Sequence, residues 1–291
     1  MLAATAERGD AGPPMLMMVH PSSTPLPGFV RARGGVRLVV GATPGGSAAL
    51  TIAESGGYRI RFPKGAACEG VLINTGGGMT GGDRMTVDAA LLEDAEAVLT
   101  TQAAEKIYRS DGGDTEMAVS LALGRGSRLA WLPQEQILFD GGRFRRDLAV
   151  SMADDARLTL VESVVFGRWA RGEEVSEGTF RDRWRIRRGG RLVLAEDVRL
   201  EGPIAAALAR PAVGKGARAV ATFLHVGPDA EAQVEAVRAM LDDASSECGV
   251  SAWDGILLAR FLSPDPQALR SDLARFVTRF RGLPVPRSWQ T

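Results

Sequence analysis

Residues 74–88 read Asn-Thr-Gly-Gly-Gly-Met-Thr-Gly-Gly-Asp-Arg-Met-Thr-Val-Asp, a glycine-rich run followed by alternating polar and apolar residues. Three of the glycines have the Gly-x-Gly-x-x-Gly spacing of a dinucleotide-binding fingerprint, and residues 71–74 form a plausible strand before them. That fingerprint requires a helix next, whose N-terminus holds the pyrophosphate, whereas residues 84–88 have the period-two pattern of a strand. The stretch therefore predicts a loop between two strands. We favour a tight multi-turn loop that uses positive φ angles over a loop that a partner's backbone or a small ion approaches.

The same alternation recurs between residues 30 and 226, in short stretches separated by glycine turns. The clearest stretches are residues 36–40, 58–62, 70–73, 84–88, 157–161, 180–186 and 191–200. Residues 188–191 read Arg-Gly-Gly-Arg, which predicts a hairpin turn between the last two stretches. We therefore expect packed antiparallel or mixed sheets in this part of the chain.

Two later segments have helical periodicity, with a short apolar strand predicted between them at residues 256–262. Residues 229–244 begin with a cap-like Pro-Asp pair and space their apolar side chains helically, at Val234, Val237, Met240 and Leu241. Residues 265–281 repeat the pattern between a proline and a glycine, with Leu269, Leu273, Phe276, Val277 and Phe280. The predicted fold class is mainly β (α+β), with two stacked mixed β-sheet layers and two helices in the C-terminal third.

The chain has 291 residues, enough for about two domains at most or for one large β-rich domain. Residues 1–28 are rich in Ala, Gly, Pro and Ser without sustained periodicity, so we interpret them as a flexible leader. We expect residues 29–291 to form a single β-rich domain.

Charge and composition exclude several classes of function. The 35 Lys and Arg residues balance 35 Asp and Glu residues, which argues against a nucleic-acid-binding protein. No apolar stretch approaches the roughly 20 residues that span a bilayer, and no targeting segment is evident, so we expect no membrane partner and a cytoplasmic location. The two cysteines and two histidines lie far apart, at Cys68, Cys248, His20 and His225. They predict neither a disulfide framework nor a tight zinc site, and only His225 is a plausible base for a hydrolase.

Residues 100–110 combine small and polar residues with a Lys, a Tyr and an Arg. Glu105 and Lys106 could be an ordinary surface pair worth well under about 1 kcal/mol. The alternative is that the Tyr and the Arg are buried and fix a loop.

Two further segments place acids in apolar surroundings. Glu135 and Asp140 lie in a Trp- and Phe-rich stretch, either at a loop edge or on an internal surface. Glu162 directly follows an apolar strand, and Arg168 could pair with it or with Glu135. We expect structural ion pairing here rather than catalysis.

Together these segments resemble the urease accessory protein D family (UreD, called UreH in some bacteria). The matching blocks are residues 74–83 for its GGD block, 100–110 for TTQAAxKxYRS, 131–140 for WLPQExIxFD and 167–173 for GRxAxGE. Residues 283–290 resemble the family's proline–arginine–tryptophan ending. The resemblance runs from about residue 30 to the terminus. Glu105 departs from the family, in which a small or hydroxyl residue is commoner.

The resemblance implies a non-enzymatic, β-rich chaperone with two stacked sheet layers and two helices. Members of the family act in the cytoplasm with accessory protein F and with accessory protein G, a GTPase. The assembly docks on apo-urease and helps to deliver Ni²⁺ to its active site, and protein D is thought to contact urease directly. We therefore expect no tightly bound cofactor and only transient Ni²⁺.

A nickel conduit needs ligands that bind well enough to admit the ion and weakly enough to release it, whereas tight nickel sites use imidazole and thiolate. We predict weak transit ligands at Asp83, Glu135, Asp140 and Glu162. Residues predicted to contact partners or to border the ion path are Gly76, Gly77, Gly78, Thr80, Gly81, Gly82, Thr101, Gln102, Lys106, Tyr108, Arg109, Gln134 and Arg168.

Two alternatives stay open from the sequence. A β-sandwich hydrolase could use Glu135 and Glu162 as paired acids, which requires the carboxyl groups to lie roughly 5–10 Å apart across an open cleft. A structural scaffold would have no ion path at all. An exposed apolar remainder of the two late helices would be a partner surface.

Overall fold

The computed structural model describes residues 31–65 and 67–290, so the predicted leader lies outside the described residues. The strands are, in chain order, β1 (Arg33–Thr43), β2 (Gly46–Ser55), β3 (Tyr58–Arg61), β4 (Glu69–Asn74), β5 (Arg84–Leu91), β6 (Glu96–Thr101), β7 (Glu105–Ile107), β8 (Thr115–Leu123), β9 (Arg128–Leu132), β10 (Gln136–Leu138), β11 (Arg143–Met152), β12 (Arg157–Phe166), β13 (Gly178–Arg188), β14 (Arg191–Gly202), β15 (Ala219–Val226), β16 (Glu247–Trp253) and β17 (Ile256–Ser263). The α-helices are α1 (Ile204–Ala209), α2 (Val234–Leu241) and α3 (Pro266–Arg281), and short 3₁₀ turns lie at Trp169–Arg171, Glu231–Gln233 and Arg287–Gln290.

The strands form two sheets. The first has the order β14-β13-β11-β8-β5-β1-β2, and the main path of the second has the order β16-β17-β15-β12-β9-β6-β4-β3. The strand stretches predicted from the sequence lie in these strands, except that Phe62 follows the end of β3, and the mainly β class is confirmed. Gly189 and Gly190 form the predicted hairpin turn, with φ angles of 54° and 79°.

Between β4 and β13 the chain coils like a solenoid, which differs in detail from the expected stacked layers. Successive long strands enter the second sheet and the first sheet in turn, and neighbours within each sheet run parallel through this region. Parallel neighbours need a long connection, and here the strand in the opposite sheet supplies part of it. Antiparallel hairpins such as β1–β2 and β13–β14 flank the coil.

The period-two pattern explains how the sheets face each other. Along β5, Met85, Val87, Ala89 and Leu91 are buried while the residues between them are partly exposed. The buried side chains of both sheets meet in one large apolar cluster, so alternation along each strand places one apolar face between the sheets.

The late helices form a second apolar cluster with the second sheet. Phe276 of α3 packs edge-on against Phe223 of β15, with ring centroids 4.8 Å apart. The predicted helix at residues 265–281 is confirmed, because Asp265 accepts hydrogen bonds from the backbone N–H groups of Gln267 (2.8 Å) and Ala268 (3.3 Å) and Gly282 ends the helix at φ 65°.

The other helix predictions need correction. The segment predicted at residues 229–244 is a 3₁₀ turn followed by the shorter α2, and the carboxylate of Asp229 pairs with Arg157 and Gln233 instead of capping it. The described residues hold three α-helices, whereas two were predicted, and the additional helix is α1. It has six residues, too few to show a helical period. No helix in the described ranges has the length and apolar character to cross a membrane.

A buried ion-pair network joins the two sheets. Arg146 of β11 is 1% exposed and donates from Nε and Nη2 to Asp182 of β13, in the same sheet. Its Nη1 donates to Glu162 of β12, in the opposite sheet, and to Gln136 Oε1 (2.8 Å). Trp131 Nε1 also donates to Glu162 Oε1 at 2.8 Å, so these buried charges have protein partners.

Replacing Arg146 by methionine should lower the free energy of unfolding by about 3–5 kcal/mol, because Glu162 and Asp182 would stay buried without their cation. Urea unfolding measures the loss. Arg145→Met is the matched control: Arg145 is adjacent on β11 and forms a half-exposed pair with Asp147, so its loss should stay below about 1 kcal/mol. Equal losses in the two variants would contradict a sheet-joining role for Arg146.

Candidate functional site

The four sequence blocks that carry the resemblance meet side by side. Met79 of the glycine loop forms a parallel bridge with Ile107, the last residue of β7. Strand β7 pairs with β10, which pairs with the end of β12 just before residue 167. We call the surface formed by residues 74–83, 100–110, 131–140 and 167–173 the motif face.

The glycine-rich block is a tight loop, as favoured from the sequence. Met79 donates its N–H to the carbonyl of Lys106, and the Tyr108 N–H returns a bond to the Met79 carbonyl, both at 2.8 Å. Thr80 Oγ1 donates to the carbonyl of Arg109 (2.9 Å), and the Tyr108 hydroxyl donates to the carbonyl of Gly77 (3.1 Å). The loop is therefore fixed against the second block by backbone and side-chain bonds.

Close approach explains two of the glycines. A Cβ at Gly78, whose φ is 151°, would lie 2.4 Å from the Tyr108 ring. A Cβ at Gly81 would lie 1.8 Å from Ser110 Oγ. Side chains at either position would separate the glycine loop from the second block.

Asp83 closes the base of the glycine loop. It is 7% exposed, and its carboxylate oxygens accept bonds from the N–H groups of Ala32 and Thr80, both at 2.8 Å. The predicted transit ligand thus has a structural role as a local cap.

Glu105 lies at the other side of the loop, in a cavity of about 280 Å³ that Gln102, Gly77 and Gly78 help to line. Its Oε1 accepts a hydrogen bond from Asn74 Nδ2 at 2.9 Å. Burial raises the pKa of Glu105 to about 7, although the Asn74 bond and the charge of Lys106 oppose the shift.

Asp140 joins three segments. Its Oδ1 accepts bonds from Ser176 N (2.8 Å), Ser176 Oγ (2.7 Å) and Glu177 N (3.1 Å), and its Oδ2 accepts one from Arg109 (3.0 Å). Although burial opposes ionisation, these bonds hold the pKa of Asp140 below its ordinary value.

The predicted pairing of Arg168 with Glu162 or Glu135 is wrong, because Arg168 pairs with Glu173. Its guanidinium also lies 4.8 Å from the centroid of the Phe139 ring. Glu173 is only five positions after Arg168, so the turn between them brings the two charges together, whereas Glu162 is already held by Arg146.

Arg270 of α3 is a residue that sequence reasoning missed. Its guanidinium donates to Glu135 Oε2 (2.5 Å), to Gln134 Oε1 (2.9 Å) and to the carbonyl of Trp289 (2.9 Å). Gln134 in turn bonds Thr101 through N–H to Oγ1, at 2.9 Å. No local signal marks Arg270, because it binds the backbone carbonyl of Trp289, whereas the Trp289 side chain donates to the carbonyl of Leu132 (3.0 Å).

The four predicted transit ligands do not form one cluster. Among residues 31–65 and 67–290, no group of three or more His, Cys, Asp or Glu side chains could hold a metal ion together. Glu162 faces the interior between the sheets, whereas Glu135 pairs with a helix that packs on the other side of the second sheet. The paired acids across an open cleft that a hydrolase requires are therefore not formed by Glu135 and Glu162.

A cavity of about 220 Å³, partly open to solvent, lies beside the buried network, and Arg260, which Glu196 binds, also lines it. Arg146, Glu162 and Asp182 line it, and the partly exposed Val198 and Val213 lie at its outer side. One cation with two carboxylates leaves a negative charge in excess. Burial raises the pKa of Glu162, and Asp182 adds to the shift while Arg146 opposes it.

The residues considered for nucleophilic chemistry do not assemble. His225 is buried, with Nδ1 lying 3.3 Å from Thr159 Oγ1, and burial lowers its pKa. Cys68 and Cys248 are free and partly buried, and burial raises the pKa of both thiols.

The family model for the UreD urease accessory protein matches residues 32–290. The chain belongs to the UreD family. A urease accessory protein UreD from Methylobacterium sp. (strain 4-46) is 52% identical over 283 residues, which cover 94% of this chain and 100% of the relative. Urease accessory protein UreD 1 from Methylobacterium radiotolerans is 52% identical, covering 91% of this chain and 94% of the relative. Urease accessory protein UreD from Azorhizobium caulinodans is 47% identical, covering 89% and 96%.

In this UreD-family chain, Glu105 should make stability depend on pH. The pKa of Glu105 in the folded protein lies above the ordinary value of 4.5, so protonation of this carboxyl favours the folded state. Its contribution to the free energy of unfolding is fully present below pH 4.5 and is lost as the pH rises to about 7. Glu105→Gln should gain stability relative to the unmodified chain across that range, by at most on the order of 3 kcal/mol. Chemical unfolding at several pH values measures the difference.

Glu93→Gln is the control for that experiment, since Glu93 is exposed and pairs only weakly with Arg125. The free energy of unfolding of Glu93→Gln should differ from that of the unmodified chain by the same amount at every pH between 4.5 and 7. A Glu105→Gln difference that is equally independent of pH would show that the buried carboxyl ionises normally.

Proposed function

We propose that this chain is a cytoplasmic chaperone of urease maturation that acts with accessory proteins F and G on apo-urease and promotes Ni²⁺ delivery, without catalysing a reaction itself. Membership of a urease accessory family supports the maturation role. The observation that carries the nickel step is the buried network of Arg146, Glu162 and Asp182 beside a partly open cavity.

The excess negative charge of this network favours a visiting cation. Burial and Asp182 raise the pKa of Glu162 and Arg146 opposes the shift, so one arginine only partly compensates the two carboxylates. A Ni²⁺ ion entering the cavity would supply the missing positive charge. Its carboxylate ligands are hard oxygens, which bind nickel less firmly than imidazole or thiolate.

Arg146 supplies the release step in this proposal. It donates to Oε2 of Glu162, and both side chains line the cavity, so it competes with an ion for the carboxylate. A ligand shared with a permanent cation binds loosely, which suits transit rather than storage. When the ion has left, Arg146 still pairs with both carboxylates, so the protein can stay folded.

The other three predicted transit acids have weaker claims. Asp83, Glu135 and Asp140 each accept bonds from protein donors that hold a loop in place. Unlike Glu162, none of the three lines the cavity beside the buried network. In our proposal they shape the surface around the route, and Glu162 is the main ligand on it.

Partner contacts are proposed for the motif face. It exposes Tyr108 (38%) and Trp169 (41%), large side chains that can bury apolar area on assembly. The apolar residues of α3 leave little for a partner, because Leu269, Leu273, Phe276 and Val277 are buried against the second sheet. We therefore propose the motif face rather than α3 as a partner surface, while Val234 and Met240 of α2 remain partly exposed.

Glu162→Gln tests the nickel step. The amide removes the charge and keeps one oxygen acceptor in place of the two that bind Trp131 and Arg146, so the complex should assemble while urease activation falls severalfold. Activation would be measured with purified F, G, apo-urease, GTP and Ni²⁺, and assembly by co-purification.

Glu116→Gln is the control, because Glu116 is an exposed acid that pairs with Arg84 at the surface. It should leave both assembly and activation unchanged. Full activation by Glu162→Gln within an intact complex would refute a nickel-contacting role for Glu162.

A further inference from the structure

An open groove of about 580 Å³ crosses the motif face next to the start of α3. We call it the motif groove. Ile137, Phe139 and Val165 line it with apolar surface, and Trp169 stands at its edge with 41% of its surface exposed. This volume is within the roughly 300–1,000 Å³ typical of ligand sites.

The acids at the groove are already paired. Glu135 is bound by Arg270, and Glu173, which follows the groove residues, is bound by Arg168. Each of these carboxylates therefore neutralises one arginine. Because these two acids are engaged, neither forms a salt bridge with the remaining basic side chains of the groove.

Lys106 and Arg171 are those basic side chains. Both line the groove and are exposed, and neither forms a salt bridge with any residue in the described ranges. Glu105, the acid next to Lys106 in sequence, lines the neighbouring cavity and accepts its bond from Asn74. The groove thus combines an apolar lining with a positive margin.

We propose that the motif groove binds an extended acidic segment of a partner protein. A bulky apolar side chain of the segment packs on Ile137, Phe139 and Val165, and flanking carboxylates pair with Lys106 and Arg171. Charge complementarity selects an acidic segment, and the apolar lining selects a peptide over a small inorganic anion. This site does not depend on the nickel step, because the groove and the cavity beside the buried network share no lining residue.

The full chain and a fluorescein-labelled hexapeptide, Glu-Asp-Leu-Trp-Glu-Asp, provide the test by fluorescence anisotropy. Saturable binding is expected, weakening as salt rises, and the double variant Lys106→Glu, Arg171→Glu should raise the Kd by about tenfold or more. The matched control is Lys64→Glu, Arg187→Glu, which reverses two exposed charges outside the groove and should leave the Kd unchanged.

Two further probes separate the alternatives. A peptide with the acids replaced by Lys and Arg should not bind, and inorganic phosphate should not displace the acidic peptide. Equal binding of the basic peptide, full displacement by phosphate, or an unchanged Kd in the Lys106→Glu, Arg171→Glu variant would each overturn the proposal. Circular dichroism confirms that both double variants remain folded.

Discussion

The salt bridges of Arg146 are the interaction on which the rest of the structure depends. One guanidinium, 1% exposed, holds Asp182 on its own sheet and Glu162 on the facing sheet. Apolar packing between the sheets is non-directional, whereas this network requires one alignment of β11, β12 and β13. The network contains two carboxylates and one guanidinium. The interaction that aligns the sheets therefore also leaves one negative charge in excess.

The solenoid-like path converts distant sequence blocks into neighbours. Because β4–β13 alternate between the sheets, the loops that link them emerge repeatedly on the same side, and the short strands β7 and β10 pair there. The acids of the motif face mostly hold these loops: Asp83 caps the glycine loop, and Asp140 joins Arg109 to the backbone at Ser176. Within the described part of the chain, the motif groove has two basic side chains without a salt bridge, Lys106 and Arg171, whereas the buried network has one carboxylate more than its single cation.

Local patterns in the sequence predict strands, α3 and the glycine loop, because these depend on near neighbours. Strand alternation follows from one buried face, and Asp265 and Gly282 bound α3 through their own backbone contacts. The solenoid path was not predicted, since parallel pairing of β5 with β8 leaves no local mark. Site residues show the same division: the glycine run was recognised, whereas Arg146 and Arg270 were missed because their partners lie in other elements. The Arg168 prediction was wrong because it chose partners in other elements, whereas Arg168 pairs with Glu173, an acid close to it in sequence.

The central claim is that Ni²⁺ passes the cavity beside Glu162 on its way to urease. Val198 lines that cavity and is the register partner of Asp182, so Val198→Trp would fill the cavity without altering a charge. The most direct measurement is the nickel content of urease, by elemental mass spectrometry, after reconstitution with this variant or with Leu192→Trp, an exposed position on the same strand. The account predicts a severalfold lower nickel content with Val198→Trp alone, in complexes that assemble normally. Equal nickel content with both variants would contradict it.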